Sequence, residues 1–132
     1  MRVYLDTSIL IYLVEDVAPF FAIAHARLAP EEIEKVTSEL GRMEALVIPL
    51  RKGNGTLVEA FNRYIDTACM EVLELSRAMM ETAAALRARN ASLRTPDAVH
   101  PAAAIHAKCD VFPTNDHRLD RFSEIAVEVL GS

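Results

Sequence analysis

The sequence lacks the features that mark membrane-spanning and secreted proteins. No apolar run approaches the roughly 18 to 20 residues that a transmembrane helix needs, and the chain does not begin with a basic segment followed by a signal-like apolar core. It contains only two cysteines, Cys69 and Cys109, and thiols in such a chain are expected to stay reduced. We therefore expect a cytoplasmic protein with no membrane segment and no disulfide.

An excess of basic residues is also missing. The net charge is -5 and the isoelectric point is about 5.3, so no basic surface indicates a nucleic-acid partner. This observation does not exclude RNA, because clustered carboxylates that bind divalent cations would account for part of the negative balance. There is no low-complexity tract, and 132 residues that are 52% hydrophobic and 25% charged predict a single domain over 1–132 with one buried core.

The chain shows no Ser-His or Cys-His pair of the kind used in nucleophilic catalysis. Its histidines are separated from one another and lack metal-ligand spacing with the cysteines. We expect surface or packing roles for all of them, namely His25, His100, His106 and His117.

What the sequence does contain is an alternation of strand-like and helix-like segments. Strands are predicted at 2–5, 33–37, 70–75, 110–114 and 126–130. Helices are predicted at 9–14, 19–28, 39–50, 56–68, 77–90, 96–108 and 116–122, with Ser38, Ser76 and Thr95 as N-caps. Parallel crossovers place helices on both faces of a sheet, so this order predicts a three-layer α/β/α sandwich.

Three acidic residues are predicted to meet at one edge of that sheet. Asp6 directly follows the first strand, and Asp116 follows the strand at 110–114 by two residues. The helix that leads into this later strand must begin at the same edge, and Asp97 lies in its first turn. Sites in open parallel sheets form beyond the carboxyl ends of the strands. Each acid alone is equally explained by a helix start, as an N-cap or a favourable charge at the helix dipole.

A fourth acidic residue is predicted to face inward from the helix at 39–50. Glu44 is four residues after Leu40, and helical spacing groups it with the apolar residues Met43, Val47 and Ile48. A buried carboxylate is costly without a partner, so Glu44 needs a cation. Pairing with Arg42 or Lys108, or extension of the side chain into water, would also satisfy it.

Four motifs carry a resemblance to a known family over residues 3–130. They are Tyr4-Leu5-Asp6-Thr7-Ser8, then Thr37-Ser38 followed by Glu44, then Thr95-Pro96-Asp97-Ala98-Val99-His100, and finally Cys109-Asp110-Val111-Phe112-Pro113-Thr114-Asn115-Asp116. The chain resembles the PIN-domain ribonucleases and, in size and motif order, the VapC-type toxins of bacterial toxin–antitoxin pairs. The resemblance implies a single PIN-like domain with a five-stranded parallel sheet of order 3-2-1-4-5.

The same resemblance implies a metal-dependent ribonuclease. The metal-binding and catalytic quartet would be Asp6, Glu44, Asp97 and Asp116, whose carboxylates suit Mg²⁺ or Mn²⁺ and would support hydrolysis of RNA phosphodiester bonds. Nearby hydroxyl and amide groups would support these ligands, namely Thr7, Ser8, Thr114 and Asn115.

The resemblance also implies protein partners, a second copy of the chain in a homodimer and a VapB-type antitoxin bound near the acidic site. The apolar helices at 9–14, 20–28 and 58–65 are candidates for such contacts, although core burial explains their apolarity equally well.

Other classes of protein share some of these sequence features. Ser8 stands where a haloacid-dehalogenase-like phosphatase has its second aspartate, which argues against that class. Pro101 removes a helical amide beside Asp97 and is expected to kink the first two turns, while Pro113 removes one donor from a strand. A degenerate PIN domain that binds RNA without cleaving it, a PIN nuclease of RNA processing and a pure interaction module are therefore alternatives.

Overall fold

The protein forms a five-stranded parallel sheet flanked by helices. The computed structural model describes residues 1–116 and 122–130, and the strand order is β3-β2-β1-β4-β5. The strands are β1 (Arg2–Tyr4), β2 (Glu34–Ser38), β3 (Glu71–Leu73), β4 (Val111–Thr114) and β5 (Ala126–Val129). This architecture confirms the predicted fold class and strand order.

Six helices lie within the described residues. They are α1 (Thr7–Glu15), α2 (Phe20–Leu28), α3 (Glu39–Arg51), α4 (Gly55–Ala68), α5 (Arg77–Arg89) and α6 (Thr95–His106). Their bounds agree with the predicted ones within a few residues. The short helix predicted at 116–122 falls mainly on residues 117–121, which lie outside the described part of the chain.

The central strand β1 contributes buried side chains to both faces of the sheet, because successive side chains in a strand point to opposite sides. Val3 and Leu5 are fully buried in one cluster with Ile9 of α1 and Ile65 of α4. Tyr4 is fully buried in the other cluster, against residues of α5 and α6 and of β4. The three predicted layers are therefore present.

Arg2 bonds to several neighbouring elements at the end of β1 that is opposite Asp6. Its guanidinium donates to Glu34 of β2 at 3.3 Å, to Glu71 of β3 at 2.6 Å and to the carbonyl oxygen of Ala107 at 3.0 Å. Its backbone N–H donates to Asp110 at 2.8 Å. A single side chain thus links three strands and the loop that enters β4.

The face that α3 turns inward differs from the predicted one. Met43, Val47 and Ile48 are exposed by 55%, 39% and 55%, so the predicted apolar stripe faces outward. The buried residues of this helix are Gly41, Ala45 and Pro49, spaced four residues apart. Small side chains at this spacing allow α3 to lie close to its neighbours, so size rather than apolarity decides which face is packed.

Gly41 is the closest point of that contact. A Cβ atom at this position would lie 2.9 Å from Oγ1 of Thr37 and 3.1 Å from Cδ1 of Leu10. Thr37 is itself fully buried and donates its hydroxyl to the carbonyl oxygen of Leu5 at 2.7 Å. Glycine at position 41 therefore sets the distance between α3, α1 and the end of β2.

Helix α6 begins one residue earlier than predicted and continues through its internal proline. Arg94, rather than Thr95, occupies the N-cap position, so that Asp97 is the third helical residue. Pro101 is buried within the helix, which runs on to His106. The backbone N–H of Arg94 bonds to the Asp97 carboxylate, and this bond replaces the hydroxyl cap expected from Thr95.

Pro113 lies in β4, between β1 and β5. It is paired in register with Glu128 of β5, where four residue pairs join the two strands. Toward β1 the pairing of β4 consists of Val3 with Val111. The strand therefore accommodates Pro113, which has no amide donor, within the ladder that joins β4 to β5.

Cys69 and Cys109 are free thiols. Within the described residues, none of the helices is by itself long and apolar enough to cross a membrane, although α1 and α2, which meet at 102°, reach that length and composition when taken together.

Candidate functional site

A cleft of about 390 Å³ opens where the carboxyl ends of β1 and β4 meet the start of α6. All four acidic residues singled out in the sequence line it, namely Asp6, Glu44, Asp97 and Asp116. The topology accounts for three of them, because β1, β4 and the first turn of α6 all reach this edge. Their role as metal ligands stays a prediction, since lining one cleft is a weaker condition than ligation.

Asp6 is the N-cap of α1 and also a buried carboxylate. Its Oδ1 accepts from the backbone N–H of Ile9 at 3.1 Å and from Oγ of Ser8 at 2.8 Å. Only 8% of the residue is exposed, and this burial raises the pKa of Asp6 above its usual value in spite of these bonds and of nearby His100. The cap interpretation is therefore correct, and the ionised form still carries a desolvation cost that a bound cation would offset.

Glu44 is held by two side chains from other elements. Its Oε1 accepts from Oγ1 of Thr7 at 2.6 Å and lies 2.7 Å from Nε2 of His100. Burial alone would raise the pKa of Glu44, but the bonds from His100 and Thr7 outweigh burial and lower it. The side chains that bond to Glu44 are thus His100 and Thr7, rather than Arg42 or Lys108.

Asp97 and Asp116 are the other two acidic residues that line the cleft. Oδ2 of Asp97 accepts from the backbone N–H of Arg94 at 2.9 Å and lies 3.7 Å from the guanidinium Nε of the same residue. The backbone N–H of Asp116 donates to Oγ1 of Thr114 at 3.1 Å, which fixes the chain just beyond β4. As with Asp6, the helix-start interpretation of Asp97 holds while its side chain lines the cleft.

His100 is the cleft residue whose part in the site the sequence analysis missed. It is buried, as a packing role requires, yet it contacts Glu44 and Thr7 through Nε2 and the hydroxyl of Tyr4 through Nδ1. A signal for this position existed in the sequence. His100 is three residues after Asp97, and residues at that spacing share one face of a helix.

Arg94 is the one lysine or arginine among the described residues that line the cleft, and 75% of its side chain is exposed. Arg42, considered above as a partner of Glu44, instead pairs with Glu39 and Asp66 on the helical surface. The cleft therefore combines four acids with one arginine at its mouth.

The donor chemistry of the cleft suits a hard divalent cation such as Mg²⁺ or Mn²⁺, which prefers carboxylate oxygens. Asp6 adds a buried carboxylate whose charge needs compensation. Across residues 1–116 and 122–130, however, no three His, Cys, Asp or Glu side chains stand close enough together to hold one ion. Joint ligation would therefore require side-chain rotation, with water completing the coordination.

The parallel sheet of order 3-2-1-4-5, with an acidic cleft at its carboxyl edge, places the chain in a defined class of α/β domains. The family model for the PIN domain matches residues 3–125, and the chain belongs to the PIN domain family. No curated protein matches the sequence significantly.

Solved structures with the same fold include several toxin–antitoxin proteins. VapBC2 from Rickettsia felis, bound to a DNA fragment from its promoter, matches with a TM-score of 0.78 and 15% identity, covering 98% of this chain and 99% of that one. A toxin–antitoxin complex from Klebsiella pneumoniae matches with a TM-score of 0.74 and 20% identity over 96% of each chain. VapC20 from Mycobacterium tuberculosis, a toxin that cleaves the sarcin-ricin loop, matches with a TM-score of 0.72 and 19% identity, covering 94% of this chain and 98% of that one. At these identities the likeness shows the fold.

Proposed function

We propose that the protein is a Mg²⁺- or Mn²⁺-dependent ribonuclease of the cytoplasm that hydrolyses RNA phosphodiester bonds, and that it is the toxin of a VapBC-type toxin–antitoxin pair. One observation carries the nuclease assignment: four carboxylates from separate parts of a PIN domain line a single cleft. The structural likeness to VapC20, a toxin that cleaves the sarcin-ricin loop, supports RNA as the substrate class.

The residues that would hold the metal are Asp6, Glu44, Asp97 and Asp116. A bound divalent cation supplies Lewis acidity, which lowers the pKa of a water molecule and neutralises charge on the phosphate. The protein contributes charge and orientation. Burial of Asp6 makes its ionised form dependent on a nearby cation, which favours metal over other occupants of the cleft.

Other residues that line the cleft would orient the carboxylates and the RNA substrate. Thr7 and Ser8 donate to Glu44 and Asp6, so that each of these carboxylates has one oxygen already engaged. Arg94 at the cleft mouth is the side chain best placed to contact an RNA phosphate. Because the rest of the cleft is acidic, binding of the polyanion would depend on the metal and on this arginine together.

The assignment is tested by cleavage of a structured RNA with Mg²⁺ or Mn²⁺ and after removal of metal with EDTA. We expect Asp6→Asn and Asp97→Asn each to lower kcat/KM by about 100-fold or more, the scale of losing one aligned electrostatic group in an active site. Asparagine is also a good N-cap, so Asp6→Asn should keep α1 intact. Glu81→Gln, at an exposed position on α5, is the matched control. Full activity in both site variants would refute the assignment.

A second candidate is a PIN domain that binds RNA without cleaving it. It is favoured by the absence, within the described residues, of any three potential ligands that already stand close together. Metal titration separates the two functions. An active site should give a rise in melting temperature that saturates with Mn²⁺, since a ligand that binds only the native state stabilises it. A degenerate site should give none, while RNA binding would persist in EDTA.

The proposed partners are an antitoxin and a second copy of the chain. The folds that match are found in toxin–antitoxin complexes, which supports an antitoxin. Of the three helical segments predicted to make such contacts, α1 and α4 bury Ile9, Leu10, Phe61 and Ile65 in the core, so their apolarity is already explained. α3 instead exposes apolar side chains at Met43, Val47, Ile48 and Leu50.

The partner proposal is tested by co-expression with the product of a small neighbouring reading frame. A stable complex that no longer cleaves RNA would support the toxin assignment, and light scattering of the free protein would report a dimer. If no neighbour binds or inhibits an active enzyme, a nuclease of RNA processing outside a toxin–antitoxin pair becomes the better assignment.

A further inference from the structure

A chain of side-chain hydrogen bonds runs from the sheet to Glu44. Oγ of Ser38 lies 2.8 Å from the hydroxyl of Tyr4, which lies 2.8 Å from Nδ1 of His100. The other ring nitrogen, Nε2, lies 2.7 Å from Oε1 of Glu44. The four residues belong to the end of β2, to β1, to α6 and to α3, so the chain joins four elements at the cleft wall.

The donors and acceptors along this chain can be assigned in order. An ionised carboxylate only accepts, so Nε2 of His100 carries the hydrogen and donates to Glu44. In the neutral imidazole Nδ1 is then an acceptor, and Tyr4 donates its hydroxyl hydrogen to it. The oxygen of Tyr4 in turn accepts from Ser38. Every polar group in the chain is thereby satisfied, in keeping with the full satisfaction of buried side-chain polar atoms across the described residues.

Three features indicate that this arrangement does more than satisfy buried polar groups. Thr7 and His100 both donate to the same oxygen of Glu44, Oε1. We therefore expect the other oxygen, Oε2, to face the cleft. Glutamate has a long, freely rotating side chain, and 26% of this one is exposed, so it would not hold one orientation unaided. Tyr4 is itself fixed by stacking on Phe112, with ring centroids 5.4 Å apart.

We propose that His100 is a positioning residue, which holds the Glu44 carboxylate toward the cleft through Nε2 while Tyr4 and Ser38 fix its imidazole tautomer through Nδ1. The proposal rests on the proposed function, because it assigns to Glu44 a part in binding the metal. It adds a residue outside the carboxylate quartet. Partners that orient a ligating side chain typically change metal affinity or activity by about 10- to 100-fold when they are lost.

Two substitutions at His100 separate positioning from packing. In His100→Gln the amide nitrogen can take the place of Nε2 and donate to Glu44, whereas in His100→Asn the shorter amide reaches only the place of Nδ1. We expect His100→Asn to weaken Mn²⁺ binding, measured by calorimetry, by about 10-fold or more and to lower kcat similarly. His100→Gln should stay within about threefold of the parent, and KM for RNA should be unchanged in both, because His100 acts through Glu44.

His106→Asn is the matched control, since this exposed histidine of the same helix bonds to Thr82 at 2.9 Å, away from the cleft. It should leave metal binding and activity unchanged. Thermal unfolding in EDTA shows whether the two His100 variants are equally folded. Equal losses of Mn²⁺ affinity in His100→Gln and His100→Asn, or parent-like affinity in His100→Asn, would overturn the positioning role.

A spectroscopic test needs neither metal nor RNA. Long-range ¹H–¹⁵N correlation spectra of the metal-free protein distinguish the two neutral tautomers of an imidazole. We expect His100 to show a protonated Nε2 and an unprotonated Nδ1, and we expect Tyr4→Phe and Glu44→Gln each to shift it toward a mixture. An Nδ1–H tautomer in the parent protein, or spectra that neither variant changes, would overturn the proposed arrangement.

The two proposals can fail separately. A protein that neither binds Mn²⁺ nor cleaves RNA refutes the nuclease assignment and, with it, any role of His100 in metal binding, whatever the tautomer spectra show. A protein that cleaves RNA normally in the His100→Asn form retains the nuclease assignment and refutes the positioning role alone.

Discussion

The two faces of the sheet bury different kinds of side chain beside the same strand. On the face covered by α1, α2 and α4, Val3 and Leu5 pack in a hydrophobic cluster with Ile9 and Ile65. On the opposite face Tyr4 carries its hydroxyl into a polar chain that ends at Glu44. Both faces are packed by apolar clusters, and the face of Tyr4 carries in addition polar groups that reach the cleft. Substitutions on the two faces should therefore differ in what they change.

The largest loss of stability is expected on the apolar face. Ile65 is fully buried, so Ile65→Ala should lower the free energy of unfolding by about 2 to 5 kcal/mol through lost burial and a new cavity. Denaturant unfolding measures this change, and Mn²⁺ affinity of the folded variant should not change. Leu50→Ala, at a position 63% exposed, is the control and should stay within about 0.5 kcal/mol of the parent. Weakened metal binding in folded Ile65→Ala would contradict the division between the faces.

A smaller loss is expected where α3 approaches the sheet edge. In Gly41→Ala the new methyl group would meet Oγ1 of buried Thr37 at 2.9 Å, so the helix or the threonine must move. We expect a loss of about 1 to 3 kcal/mol in the free energy of unfolding, and weaker metal binding because Glu44 lies on the same helix. Gly55→Ala is the matched control, since a methyl group there meets nothing within 4 Å. Equal effects of the two alanines would show that the close approach at Gly41 is unimportant.

A gain in stability is expected at the cleft itself. Asp6→Asn keeps acceptors for Ile9 and Ser8 but removes a charge that burial disfavours. In EDTA at neutral pH the variant should be more stable than the parent by about 0.5 to 2 kcal/mol, a common result when a strained functional group is replaced. Thermal unfolding with and without Mn²⁺ measures this, because the metal-induced stabilisation should be lost in the variant. A variant less stable than the metal-free parent would mean that Asp6 serves chiefly as a cap.

The smallest effect is the pH dependence of two carboxylates with opposite shifts. The pKa of Asp6 is higher in the folded protein than in the unfolded chain, where it is about 3.9. The parent therefore loses stability relative to Asp6→Asn as the pH rises from the unfolded-state pKa through the folded-state pKa. The pKa of Glu44 is lower in the folded protein than in the unfolded chain, where it is about 4.3. The stability that ionised Glu44 contributes is therefore present above the unfolded-state pKa and is lost as the pH falls through the folded-state pKa. Because Glu44 is partly exposed, we expect less than about 1 kcal/mol from it.

Unfolding of the parent, Asp6→Asn and Glu44→Gln across the acid range in EDTA measures both trends. The stability difference between the parent and Asp6→Asn should grow with rising pH, and the difference between the parent and Glu44→Gln should shrink with falling pH. Parallel curves for all three proteins would show that neither carboxylate has a shifted pKa.

The sequence was sufficient for those parts of the fold that follow from chain topology. Asp6, Asp97 and Asp116 were expected at one edge because strands and crossovers in a parallel sheet leave little choice of direction, and all three line the cleft. The position of Glu44 was predicted on partly wrong grounds. Met43 and Ile48 share no buried face with it, since α3 is packed through its small residues and periodicity of apolar residues does not report size.

His100 shows where reading a sequence reaches its limit. A single histidine in a helix is compatible with a core, a surface or a site, and its partners Tyr4 and Glu44 are 96 and 56 residues away in the chain. Its meaning depends on distances that only the folded chain supplies. The shift of the N-cap from Thr95 to Arg94 has a similar cause, because the Asp97 carboxylate competes with a hydroxyl for the same role.

The links made by Arg2 have a consequence for biosynthesis. The central strand leaves the ribosome early, but Asp110, to which the backbone of Arg2 bonds, follows 108 residues later. Contacts of such long sequence separation form late and slowly, because loop closure must precede them. A nascent chain would thus expose β1 without β4, and with it an unfinished cleft, until most of the protein had been translated. The cleft is therefore one of the last parts of the domain to be completed, after β1, β2 and β3 have all been synthesised.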